Sequence, residues 1–279
     1  MTELVLEHWG VDPEQIVAGA RHEVGDADLY LGGSLADDLG SPDSDIDLYC
    51  FVESGGSGTR RLQLTGYAPV VLELHVVDVN QELATGVSLA PFVIEADPLP
   101  PARWPILSGT AFRAFHALFY DRPLAPPTGP ADRMRSGLGT DLLPIYVVLR
   151  SALAASSLDR QADRRATEST LSAVHCARLG VEAALDAALA TAGAVSANPK
   201  WRLTLARRHG LLSDGTEDLV LAGIFPDRHR ADDAVARCHR ATARLLDRVR
   251  QDAFLARYPV VRATSGQVDH AAETERAPA

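Results

Sequence analysis

Strand-like alternation occupies the first hundred residues, and helical spacing occupies the rest. Residues 70–79 (VVLELHVVDV) carry the clearest strand pattern, rich in β-branched side chains, with Glu73 on the face opposite Leu72 and Leu74. Residues 45–52 alternate in the same way, residues 27–31 (ADLYL) run into Gly32-Gly33-Ser34, and a weaker strand covers 60–67. A helix is predicted over 12–24, with Asp12 as N-cap and Pro13 at the first helical position. Residues 35–39 can close one helical turn before the turn chemistry of Gly40-Ser41-Pro42-Asp43, and residues 54–58 (SGGSG) read as a hairpin-like loop.

The pattern changes at the Pro-rich residues 97–102. Beyond them Ala, Leu and Arg dominate, and apolar residues recur at helical spacing, as in Leu171, Val174, Leu179, Val181 and Leu185. Helices are predicted at 107–119, 131–156, 161–193, 200–209 and 229–257, with Pro144 and Gly180 as points where longer ones kink or split. Residues 263–279 are polar and rich in Ala and Pro, and read as a disordered tail. The expected fold class is therefore α+β: a small mixed-sheet domain over 1–105, then an all-helical domain over 106–262.

Composition adds limits. With 46% hydrophobic residues in a chain of 279, one large core or two modest ones can form. No run approaches the roughly eighteen apolar residues of a membrane span. The N-terminus carries acids where a signal peptide carries Lys or Arg, so a cytoplasmic location is expected. Cys50, Cys176 and Cys238 form no CxxC pattern and read as buried reduced thiols. Charge is uneven: residues 1–105 hold 4 Arg and no Lys against 18 Asp and Glu, whereas residues 106–279 hold 23 basic and 19 acidic residues. An acidic first half repels a phosphate backbone, which disfavours a nucleic-acid substrate and suits metal ions or a cationic small molecule.

Candidate chemistry concentrates in that acidic half. Asp45 and Asp47 stand at i and i+2, so on a strand both project from one face, roughly 6–7 Å apart along the backbone. Phosphoryl transfer gathers dense negative charge, and two Mg²⁺ ions about 4 Å apart can neutralise it with few protein ligands. Glu73 on a neighbouring strand would complete a carboxylate cluster, either as a metal ligand or as general base on a substrate hydroxyl. Gly33-Ser34 lets backbone approach phosphate oxygens closely and adds a hydroxyl.

The stretch LGGSLADDLGSPDSDIDL resembles the signature of the DNA polymerase β-like nucleotidyltransferase superfamily: a Gly-Ser turn after a strand, a short spacer, then Asp-x-Asp with apolar flanks. Residues 42–48 are similar to the form found in the small-molecule branch, including aminoglycoside nucleotidyltransferases. The resemblance implies that Gly33 and Ser34 hold the triphosphate of an NTP, by default ATP. It further implies that Asp45 and Asp47 ligate Mg²⁺ with Glu73 as third carboxylate, and that AMP passes to a small-molecule hydroxyl. There is a departure: many relatives carry a small or basic residue soon after the Ser and a Gly four residues on, whereas here those places hold Leu35 and Asp38, with Asp37 beside it; the two extra acids could face solvent or meet a cationic acceptor.

Lys200 is the single Lys among 27 basic residues and opens a helix in Asn198-Pro199-Lys200-Trp201. The segment 175–205 resembles the helical partner domain of several nucleotidyltransferases, which implies that Lys200 contacts the nucleotide; the alternative is a surface Lys beside a Trp. His75 shares a strand face with Glu73 and lines either the site or the edge of a cleft. His175 reads as a packing histidine. Two other readings stay open: a toxin-like or regulatory enzyme acting on tRNA or protein, and a non-catalytic nucleotide-binding relative.

Overall fold

The computed structural model describes residues 10–40, 44–65, 69–93, 106–124, 129–213, 215–225 and 231–258. The Pro-rich residues 97–102 and the expected tail at 263–279 lie outside the described residues. The chain is α+β and divides into two compact units. One comprises residues 1–91 and 105–142, the other residues 92–104 and 143–279.

In the first unit, helix α1 (Pro13–Val24) starts where expected: Asp12 accepts from the Glu14 N–H at 2.8 Å, and Gln15 reaches back to the Asp12 N–H at 3.2 Å. This reciprocal capping satisfies two donors at the helix start. Strands β1 (Asp28–Gly32), β2 (Ile46–Val52), β3 (Gly58–Thr65), β4 (Pro69–Asp78) and β5 (Arg122–Pro123) form a sheet in the order β3-β4-β2-β1-β5. β2 and β4 run parallel, while the other pairings are antiparallel.

Alternation along each strand sorts the two faces. Leu29, Leu31, Ile46, Leu48, Cys50, Leu72 and Leu74 pack with Ile16 and Ala20 of α1 into one core. The opposite face carries Tyr30, Asp47, Tyr49, Phe51, Glu73 and His75. Part of it is closed by apolar packing: Tyr30 and Phe51 meet edge to face at 5.2 Å, and the Arg135 guanidinium donates to the Tyr30 hydroxyl at 3.3 Å.

Helices α2 (Gly33–Ala36), α3 (Val79–Val93), α4 (Gly109–Tyr120) and α5 (Pro130–Leu138) complete this unit. The boundary expected at 105 falls instead at 142, because the chain after α4 returns to the sheet: Tyr30 pairs with Pro123 and Leu31 with Arg122. Helix α3 gave no readable signal, and two-residue β5 is too short to leave a periodic one.

The second unit is helical: α6 (Leu142–Ala166, its first residue grouped with the sheet unit), α7 (Thr170–Thr191), α8 (Arg202–Arg208), α9 (Thr216–Ile224), α10 (Ala231–Gln251) and α11 (Ala253–Ala256). The run expected over 131–156 splits at Gly139, whose φ of 72° suits glycine at a helix end. The next expected helix begins only at Thr170, capped by the Ser169 hydroxyl. Pro144 sits in the first turn of α6, where a missing N–H costs nothing, so it does not kink the helix.

Gly180 does not break α7. A β-carbon there would lie 3.4 Å from the Ala155 carbonyl oxygen, an ordinary contact, so the helix packing at this point does not require glycine. The buried face of α7 is the small-residue stripe Ala173, Ala177, Val181, Ala184 and Ala188, whereas Leu171 is exposed. Small residues let neighbouring helices approach; of the positions read as the apolar stripe, Val181 and Leu185 are buried, Val174 and Leu179 half-buried, and Leu171 is exposed. Helix α6 is long and apolar enough in composition to cross a membrane, and 56% of that stretch is buried inside the fold.

Candidate functional site

One transverse row crosses four strands. Gly32 of β1 faces Asp47 of β2, Asp47 faces Glu73 of β4, and Glu73 faces Arg61 of β3. The next row on the same face holds Tyr30, Tyr49, His75 and Thr59. Parallel register between β2 and β4 places the Asp47 and Glu73 carboxylates side by side, a relation that sequence spacing cannot supply.

Asp47, Glu73 and His75 each present one donor atom within 4.8 Å of the other two. His75 Nε2 lies 3.0 Å from Asp47 Oδ1. The imidazole stacks on the Tyr49 ring at 4.8 Å, and its Nδ1 lies 3.4 Å from Thr59 Oγ1. Glu73 Oε1 accepts from Arg61 at 2.9 Å from Nε and 2.7 Å from Nη2. The sequence reading had left His75 between site and edge; the structure brings it to the carboxylates.

Asp45 is placed differently from Asp47. It stands just before β2, exposed, and is outside the compact three-residue group. A strict i, i+2 strand geometry needs both residues inside the strand, and β2 begins at Ile46.

The Gly-Ser turn is built against Asp47. Gly33 takes φ +64°, and a β-carbon on it would lie 2.2 Å from Asp47 Oδ2. Ser34 follows in the single turn α2, and no side chain caps the start of that turn. Asp38 adopts φ +56° and accepts from the Arg122 guanidinium at 2.5 Å. One of the two unexplained acids thus ties the end of the turn to strand β5.

Asp121 went unnoticed in the sequence. It ends α4, is buried to 1% side-chain exposure, and lies 3.3 Å from His116 Nδ1. One of its carboxylate oxygens would meet a β-carbon on Gly32 at 2.6 Å. Burial raises its pKa, with His116 opposing the shift and Asp47 adding to it. Burial, followed by Asp121 and Asp47, likewise pushes the Tyr49 phenol up. No local motif marks Asp121; only the return of β5 to the sheet brings it beside the turn.

Lys200 belongs to the second unit. It lies in a short 3₁₀ turn (Pro199–Trp201) whose start is capped by Asn198, and its Nζ stands 5.0 Å from the centre of the Trp201 ring. His175 is exposed, which corrects its reading as a packing residue: it faces away from the small-residue stripe of α7. All three cysteines are free and buried, and burial pushes Cys50 up to about 12.

The donor set of two carboxylates and one imidazole, beside a glycine whose missing side chain makes room for Asp47, fits a divalent cation. Residues 14–85 match the family model of the nucleotidyltransferase domain. Curated proteins give no match to the chain. Among solved structures, a nucleotidyltransferase-like protein from Exiguobacterium sibiricum 255-15 aligns with a TM-score of 0.47 at 11% identity, covering 96% of this chain and 81% of that one. The stretch that matches the nucleotidyltransferase-domain model contains Gly33, Ser34, Asp45, Asp47, Glu73 and His75.

Proposed function

We propose that this chain is a Mg²⁺-dependent nucleotidyltransferase that moves a nucleoside monophosphate, AMP by default, from an NTP to a hydroxyl of a small molecule. The observation that carries the reading is the pairing of Asp47 with Glu73 in parallel register, with Gly33 seated against the Asp47 carboxylate.

On this reading Asp47 and Glu73 hold the cation, and Asp45 at the mouth of the strand adds a further carboxylate. A bound divalent cation neutralises triphosphate charge and stabilises the developing negative charge on the reacting oxygens. The Gly33-Ser34 backbone and the Ser34 hydroxyl receive phosphate oxygens. The acceptor oxygen attacks the α-phosphorus, its proton passes to water, and pyrophosphate leaves. Adjacency to Asp47 supports Glu73 as a ligand rather than a base. The net acidity of residues 1–105, 4 basic against 18 acidic residues, supports a cationic small molecule over a polynucleotide as acceptor.

The test is incubation of the full chain with each NTP, Mg²⁺ and a pool of hydroxyl-bearing amines. Mass spectrometry follows nucleotide addition, and a coupled assay follows pyrophosphate. Transfer that disappears in Asp47→Asn is expected. Absence of transfer across all NTPs, or full turnover in Asp47→Asn, sinks the reading.

A further inference from the structure

We infer that His75 is itself a ligand of the divalent cation, and that its ring nitrogen turns the site toward a first-row transition dication such as Mn²⁺ over Mg²⁺. This rests on the reading of Asp47 and Glu73 as cation ligands and adds a nitrogen donor to it.

Geometry comes first. Two adjacent donors, each about 2.1 Å from one octahedral ion, lie about 3 Å apart. His75 Nε2 and Asp47 Oδ1 are 3.0 Å apart, and a Glu73 oxygen lies within 4.8 Å of both. His75 follows Glu73 by two residues on β4, so both project from one face, and the parallel register brings them beside Asp47. The three donors therefore converge without any change of strand pairing.

The ring is also held in a coordinating attitude. Tyr49, its strand partner, stacks on it with 26° between planes. Thr59, its partner on β3, places a hydroxyl oxygen 3.4 Å from Nδ1. When Nδ1 carries the hydrogen, Thr59 accepts it and Nε2 turns its lone pair toward Asp47. Metal-bound histidines characteristically hold their second ring nitrogen in this way.

Chemistry then decides the ion. Mg²⁺ binds hard oxygen donors and dehydrates reluctantly, while first-row transition dications accept imidazole with an affinity that rises from Mn²⁺, the weakest of them, toward the later metals, so Mn²⁺ is the most conservative probe of the nitrogen donor. With Asp45 outside the compact group, the converging set is two carboxylates and one imidazole rather than three carboxylates. Exchanging an oxygen for a nitrogen raises affinity for Mn²⁺ and does little for Mg²⁺.

The experiment is Mn²⁺ titration of the full chain followed by electron paramagnetic resonance, with Mg²⁺ as competitor, and pulsed spectra that detect nitrogen bound to the manganese. We expect nitrogen modulation in the unmutated chain and Mn²⁺ binding at least about tenfold tighter than Mg²⁺. His75→Gln should abolish the modulation and bring the two affinities within about threefold of each other, leaving Mg²⁺ affinity nearly unchanged. Bound Mn²⁺ without nitrogen modulation in the unmutated chain overturns the assignment, as does equal affinity for both ions. The spectrum of the unmutated chain is decisive even if the variant folds poorly. Nitrogen modulation without nucleotide transfer counts against the proposed reaction and leaves the ligand assignment standing. Transfer without modulation does the reverse.

Discussion

Gly33 and Asp47 occupy each other's space: the carboxylate oxygen Oδ2 stands 2.2 Å from where a β-carbon on residue 33 would be. The glycine is required twice, because its φ of +64° is also one that L side chains rarely adopt. Gly33→Ala should therefore cost about 1–2 kcal/mol in backbone strain alone. It should also push Asp47 out of line with Glu73 and lower both divalent-ion affinity and nucleotide transfer by about a hundredfold or more. Urea unfolding alongside ion titration separates the two effects. Unchanged ion affinity in a folded Gly33→Ala protein would show that the close approach serves the turn and not the site.

Sequence legibility followed the range of the interactions. The α1 cap, the Gly-Ser turn and strands β2 and β4 are local, and each was readable from a handful of neighbouring residues. The parallel pairing of β2 with β4 was not, because register between distant strands is set by packing of Ile46, Leu48, Leu72 and Leu74 beneath the sheet. His75 and Arg61 join Asp47 and Glu73 only through that register. Asp121 was invisible for the same reason. On α7 the periodic reading reached Val181 and Leu185 of the buried face but not its Ala and Gly positions, which give a weak periodic signal where helices pack closely.

If Glu73 holds a cation as proposed, Arg61 competes with that cation for the carboxylate. Its guanidinium lies 2.7 Å from Glu73 Oε1, yet the Arg side chain is 75% exposed. An exposed pair contributes about 0–1 kcal/mol to folding, so Arg61→Ala should leave stability within that range. At the aqueous limit two unit charges about 4 Å apart interact by about 1 kcal/mol, so a unit charge repels a dication there by about 2 kcal/mol and removing it should tighten divalent binding by up to roughly thirtyfold. Calorimetric titration of the nucleotide-free protein checks this. Weaker ion binding in Arg61→Ala would mean that Arg61 orders Glu73 for the cation rather than competing for it.

Glu82 sets a pH dependence. It lies in α3, is 3% exposed, and its Oε2 has no hydrogen-bond partner among the described residues. Burial first, and Asp78 second, raise its pKa above the ordinary 4.5. A carboxyl whose folded pKa is raised contributes stability fully below its unfolded pKa and loses that contribution as pH rises through the folded value. Glu82→Gln removes the ionisation, so its stability gain should be absent near pH 4 and open above it. At pH 7.5 the gain should reach about 1–3 kcal/mol, the cost of a buried polar group left unpaired. Chemical denaturation at the two pH values tests this; an equal effect at both would assign the change to packing.

Arg202 is the polar anchor of the helical unit. Its Nε and Nη2 grip Asp186 at 2.6 and 2.9 Å, and Nη1 reaches Glu182 at 3.1 Å. The two acids stand one turn apart on α7, so the arginine clamps the start of α8 to that helix across both carboxylates. Only 13% of the Arg202 side chain is exposed, which places the cluster well inside the fold. Arg202→Ala leaves two partly buried carboxylates facing each other and should destabilise the protein by about 3–5 kcal/mol. Arg202→Lys keeps the charge but loses the planar fork, so it should fall between the two. The triple variant Glu182→Gln, Asp186→Leu, Arg202→Met removes the three charges of the clamp, leaves Glu182's other partner Arg178, 36% exposed, to water, and should recover most of the loss, because no carboxylate is left unpaired. Urea midpoints of the four proteins decide the matter. A triple variant as unstable as Arg202→Ala would show that the clamp's geometry, rather than charge compensation, holds α8 to α7.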